Sequence, residues 1–187
     1  MQKSIQKSLL LAVVPLVMLA GCASQAPMAS SAPMFSQAGM AAAVLVPEGN
    51  VVAIETVGVG QITYECQVKK TNDGHAWVFI GPDAKLNNRA GSQVGTYYGP
   101  PATWSMADGS KLTGTQVAVS PAASGSIPLQ LVKANPATGS GSAVGVTYIQ
   151  RVATQGGVAP ASTCDAAAMG KKEIVNYQAD YIFYKAQ

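Results

Sequence analysis

The chain has 187 residues, of which 11% are charged, and a formal net charge of +3. Lys3 and Lys7 apart, ten Lys/Arg stand against nine Asp/Glu, a near balance that excludes a polybasic surface for nucleic acid or anionic lipid. The length suffices for one domain with a real core, and 19 glycines and 11 prolines favour turns over long helices.

The N-terminus reads as an export signal. Lys3 and Lys7 precede an apolar run from Leu9 to Ala20, too short for a spanning helix of roughly 20 residues. The run ends in Leu19-Ala20-Gly21-Cys22, which resembles a lipoprotein cleavage box with Cys22 as lipid acceptor. Ala23, rather than an aspartate, follows it, and in lipoproteins of this kind that implies sorting to the outer membrane. Residues 1–21 are thus expected to be a signal peptide. Residues 22–43, rich in Ala, Ser, Pro and Met and free of charge, are expected to form a lipidated flexible tether. The folded domain is expected over 44–187. An exported domain favours disulfides, so Cys66 and Cys164 are expected to pair.

Strand signals dominate from there. Val51–Val57 follows a Pro47-Glu48-Gly49-Asn50 turn, and Gln61–Lys69 alternates, with Ile62, Tyr64, Cys66 and Val68 on one face. Asp73-Gly74 predicts a hairpin turn into His75–Ile80, with Gly81-Pro82-Asp83 ending that strand. Ala84–Gly99 reads as loop and short strand. Ala102–Met106 and Lys111–Val119 flank the Asp108-Gly109 turn as a second hairpin. A strand cue over Ile127–Lys133 is interrupted by Pro128. Ala143–Val152 is the strongest late strand, and Ile174–Tyr184 closes the chain after a helical turn near Ala166–Gly170. Seven to nine short strands predict an all-β single domain, a sandwich or barrel-like antiparallel fold with long loops.

Several stretches resemble one family of secreted and periplasmic proteins. They are Tyr64-Glu65-Cys66, Trp77 with Gly81–Leu86, and Gly95-Thr96-Tyr97-Tyr98-Gly99-Pro100. Trp104, Asp108–Lys111, Gly145–Val152, Gly156–Pro160, Cys164-Asp165 and Tyr181–Tyr184 continue the likeness. Together they resemble domain-of-unknown-function family 3455 over about residues 45–185. The chain departs from the family pattern in three places: Tyr97 stands where His is common, Pro101-Ala102 lengthens the route to Trp104, and Leu129 stands where Trp is common. The resemblance implies a β-rich domain and supplies no activity.

The chemistry-bearing residues are few. His75 is the single histidine and lies beside a hairpin turn, without a nucleophile motif or ligand spacing. No catalytic residue, metal site or cofactor is expected from the pattern. Tyr97, Tyr98 and Trp104, on a loop stiffened by Pro100 and Pro101, are candidates to bind a glycan or peptide by stacking. Core packing is the plainer reading of those rings. If residues 97–98 are extended, their side chains point to opposite sides. Arg151 ends a strong strand and is a candidate for an anionic ligand, with a salt bridge to Asp165 or Glu55 as the plainer reading. The sequence therefore predicts a lipid-anchored envelope protein, facing the periplasm from the outer membrane, with a non-catalytic binding or structural role. The alternative is a carboxylate-dependent hydrolase of envelope carbohydrate, which needs two acids facing across a cleft.

Overall fold

The computed structural model describes residues 35–187; the expected signal peptide and Cys22, the expected lipid acceptor, lie outside the described residues. Eight strands follow in chain order: β1 (Asn50–Val68), β2 (His75–Asn87), β3 (Gln93–Tyr98), β4 (Thr103–Met106), β5 (Lys111–Ser120), β6 (Leu129–Ala134), β7 (Val146–Gly156) and β8 (Lys172–Ala186). Each pairs antiparallel with the next, and β8 pairs back with β1, so the sheet closes into a ring. Among the described residues there is no α-helix, only 3-10 turns at Ala42–Val44 and Ala166–Ala168. The expected all-β class is what the chain adopts.

The ring is uneven. The β1–β8 ladder runs from Asn50↔Ala186 to Glu65↔Lys172, whereas β4–β5 runs only from Thr103↔Thr113 to Ser105↔Lys111. The β1–β2, β3–β4, β5–β6 and β7–β8 connections lie at one end, the upper end. The sheet termini and the other connections lie at the lower end.

Two expected breaks are not breaks. Val51–Val57 and Gln61–Lys69 belong to one long strand, because Gly58 and Gly60 sit where neighbours crowd in. A Cβ on Gly58 would lie 2.6 Å from the Tyr181 ring, and one on Gly60 would lie 2.1 Å from the Asp83 carbonyl oxygen. These glycines serve close approach rather than a turn. Gly81-Pro82-Asp83 likewise does not end β2. The pairing of β2 with β3 starts only at Asp83↔Tyr98, so Pro82 lies where β2 has a free edge, and a missing N–H is tolerated there.

The period-2 pattern fills the ring. Ile62, Tyr64, Leu86, Tyr97, Trp104, Leu112, Ile149, Tyr181 and Phe183 form one buried inner cluster. Tyr97 stacks on Trp104 with centroids 4.8 Å apart, and Tyr181 tilts against Tyr97 at 4.9 Å. Outside the ring, Val44, Val46, Leu131, Val152, Ile182 and Tyr184 form a second cluster with Phe35 and Met40. Residues 35–43, the last part of the segment read as a tether, therefore lie on the sheet. Their polar seam is satisfied. The buried Gln150 amide donates to the Val44 carbonyl at 2.5 Å and to Gln37 at 2.9 Å, and it accepts from the Tyr184 hydroxyl at 2.6 Å. A bulge between Val146 and Tyr148 shifts the register of β7. Val146 thus packs inside with Ile149, while Tyr148 packs outside, which breaks the single alternation expected across Ala143–Val152.

Candidate functional site

Arg151 lies opposite Tyr181 in the β7–β8 ladder and opposite Gln130 in the β6–β7 ladder. Strand partners share a face, so Arg151 points inward. Gln116 is opposite the inner-cluster residue Val132 and points inward as well. At the upper end these three polar side chains, with Phe79, Tyr97 and Trp104, line a cavity of about 300 Å³, the lower bound of ordinary small-molecule pockets. The free edge of β2 flanks it, and Phe79 is 51% exposed there.

The cavity's polar groups are incompletely partnered. Arg151 donates through Nε and Nη2 to the Pro128 carbonyl, at 3.2 and 3.0 Å, and through Nη1 to nothing among the described residues. The salt bridge expected for Arg151 is not formed. Glu55 is bound to Arg89 at 2.8 Å instead, and Asp165 accepts the backbone N–H groups of Ala167 and Ala168. The Gln130 amide donates to Gln116 at 2.6 Å, leaving the Gln116 NH2 and the Gln130 Oε1 without a partner among the described residues. The Trp104 indole N–H is buried and has no acceptor among the described residues, a state costing about 1–3 kcal/mol.

Four inner tyrosines surround this charge electrostatically. Burial raises Tyr64, Tyr97, Tyr177 and Tyr181 above the ordinary phenol value, and the Arg151 charge pulls each partly back. All four stay neutral near pH 7, so none supplies Arg151 with a counterion.

The aromatic candidates divide. Tyr97 and Trp104 are buried at 6% and 1% exposure and meet Arg151 at the cavity. Tyr98 is on the outer face, 41% exposed, and is not part of the lining. Phe79, Gln116 and Gln130 were missed from sequence. The available signal was strand parity: Gln116 continues the inward alternation of Leu112 and Gly114, and Gln130 that of Val132.

A disulfide borders this end. Cys66 and Cys164 are bonded, as expected, with Cα atoms 5.5 Å apart. The bond ties the β7–β8 connection to β1. The Tyr64 hydroxyl donates to the Gly157 carbonyl, and the Trp77 indole N–H to the Ser162 carbonyl, both at 2.8 Å. His75 is opposite Val68 at the start of β2, apart from the lining.

Two other concavities carry less. A groove of about 720 Å³ on the outer face of β1, β2, β7 and β8 is shallow, and its exposed Asp83 and Lys85 have opposite charge. A lower-end cleft of about 350 Å³ holds two acids, Glu55 and Asp108. Both carboxylates are committed. Glu55 accepts from Arg89 and from the Phe35 backbone N–H, and Asp108 accepts from Ser110 and from the Ser142 backbone N–H. Those hydrogen bonds hold the Asp108 carboxyl far below the usual carboxylate range, the opposite of a general acid's requirement.

No curated protein and no solved structure matches the chain. A family model does: residues 47–185, from before β1 almost to the end of β8, match the family described as protein of unknown function (DUF3455), and the chain belongs to that family.

Proposed function

We propose that the chain is a lipid-anchored, non-catalytic binding module of the cell envelope, taking a small ligand into the upper-end cavity. The convergence of Tyr97, Trp104 and Arg151 on one cavity carries this reading. An arginine without a carboxylate partner leaves a charged donor to spare. The guanidinium is half-buried, and a ligand with a matching acceptor would take the place of the water that reaches it. The hydrolase alternative finds less support, since the two acids that share a cleft are held in hydrogen bonds as acceptors. An enclosed mouth of this size suits the end group of a glycan or a peptide side chain better than an extended polymer.

The anchor rests on Leu19-Ala20-Gly21-Cys22, and the Cys66–Cys164 disulfide fits an extracytoplasmic domain. Acylation of Cys22 would hold the domain at the outer membrane, facing the periplasm. Labelling cells with a fatty-acid analogue tests this. The wild type should carry label and Cys22→Ser should not; label on the variant ends the anchor reading.

The cavity is tested by plugging it. Gln116 is exposed at the mouth, so Gln116→Trp should fill the opening while the fold melts as before. A small aromatic probe, benzoate, should raise the melting temperature of the wild type and not that of Gln116→Trp. Equal responses in open and plugged proteins would place binding elsewhere.

A further inference from the structure

Resting on the reading of the cavity as a ligand site, we infer that its ligand carries an oxyanion, a carboxylate or a phosphate, on a flat apolar body. The oxyanion would meet Arg151, and the body would lie against the aromatic wall of Phe79, Tyr97 and Trp104.

The charge argument comes from where each acid goes. Glu55 and Asp180 hold Arg89, Glu65 faces Lys172, and Glu173 faces Lys171. Asp73, Asp108 and Asp165 accept from hydroxyl or backbone donors beside them, Glu48 is exposed ahead of β1, and Asp83 lies on the outer face. Arg151 alone of these cations points into the ring, and its only protein acceptor among the described residues is the Pro128 carbonyl. That contact uses one edge of the guanidinium. The Nη1 edge remains for a planar, two-oxygen acceptor, the geometry that arginine recognises best.

The Gln116–Gln130 pair is electrically neutral and leaves one donor, the Gln116 NH2, and one acceptor, the Gln130 Oε1, over. Arg151 is the one charged group in the lining, so the mouth favours an anion over a cation. The half-exposed Phe79 ring and the Tyr97–Trp104 stack supply the apolar counterpart. A cavity of about 300 Å³ limits the body to a small molecule or one terminal group.

The test uses the full chain in detergent, carrying Trp77→Phe so that Trp104 is the remaining tryptophan of the two. Benzoate, phenyl phosphate, benzamide and acetate are titrated against its emission. Benzoate or phenyl phosphate should bind, and whichever is tighter separates a carboxylate ligand from a phosphate one. Benzamide, with the same ring and no charge, should bind roughly 10- to 100-fold more weakly, as expected for loss of a charge-assisted hydrogen bond. Acetate, with the charge and no ring, should also be weaker. Arg151→Gln should bring the anions down to the benzamide level with an unchanged melting temperature, and Arg151→Lys should restore part of the difference. Benzamide binding as tightly as both anions, or Arg151→Gln leaving anion binding intact, would overturn the oxyanion inference while leaving the cavity reading in place. Silence from all four probes would remove both.

Discussion

At the lower end Arg89 sits between Glu55 and Asp180, 2.8 and 2.6 Å away, and Glu55 also accepts the Phe35 N–H at 2.6 Å. At the upper end Arg151 faces inward among neutral tyrosines and reaches only a carbonyl oxygen. The first cation is part of the clasp that fastens the N-terminal segment to the sheet, and the fold itself explains its partners. The second has no partner that explains its position. Within one small ring the charge paired by carboxylates marks architecture, and the charge without one is where the proposed ligand would bind.

The largest effect expected of any single substitution lies in the aromatic stack beneath the cavity. Trp104→Ala should cost about 3–5 kcal/mol, as truncations of buried aromatics do, and a denaturant titration would measure it. Trp104→Phe sharpens the point. It keeps a ring against Tyr97 and removes the unpartnered N–H, so it should cost far less than the alanine variant. A phenylalanine variant as unstable as the alanine one would mean that the indole N–H is tied into the fold.

Next comes the disulfide, which closes a sequence separation of 98 residues. Replacing both cysteines with alanine should cost about 2–4 kcal/mol, read as a lower melting temperature. Because the bond secures the β7–β8 connection at the upper end, hydrogen exchange should rise first over residues 157–171 and not at the Glu55–Arg89 clasp. Uniform loosening would deny that the two ends are separately fastened.

Asp108 should show a smaller, pH-dependent effect. Its pKa is lowered by the hydroxyl and backbone donors of Ser110 and Ser142. A depressed folded-state pKa adds stability above the unfolded value near 3.8, and this is lost as pH falls below that value toward the folded one. Asp108→Asn should therefore lower the melting temperature at pH 7, and the difference from wild type should shrink through pH 4 to 3. A difference independent of pH would assign it to packing.

Much of this contrast was hidden from the sequence. The turns were legible because Asp73-Gly74 and Asp108-Gly109 have their own backbone preferences. The inward faces of β1 and β7 were legible in part through alternation. The length of β1 was not, since Gly58 and Gly60 look like a break unless the Tyr181 ring and the Asp83 carbonyl beside them are known. Tyr97 and Trp104 were legible as candidates, and Tyr97-Tyr98 as a pair splitting across the sheet. That Tyr97 joins the cavity and Tyr98 does not depended on which face the register turned inward. Glu55 and Asp165 looked like fair partners for Arg151, yet Arg89 and a 3-10 turn had claimed them. Ion-pair choice is a long-range property that residue spacing does not encode.

The most direct test of the contrast is a melting experiment on three proteins, wild type, Arg89→Gln and Arg151→Gln, each with and without benzoate. Without ligand, Arg89→Gln should lose about 1 kcal/mol, the scale of a partly exposed ion-pair network, while Arg151→Gln melts like the wild type. Benzoate should raise the melting temperature of wild type and Arg89→Gln by the same increment, as a ligand bound only by the folded state does, and should raise that of Arg151→Gln much less. A benzoate shift undiminished in Arg151→Gln, or an unliganded Arg151→Gln that melts below Arg89→Gln, would contradict the assignment of Arg151 to a ligand rather than to the fold.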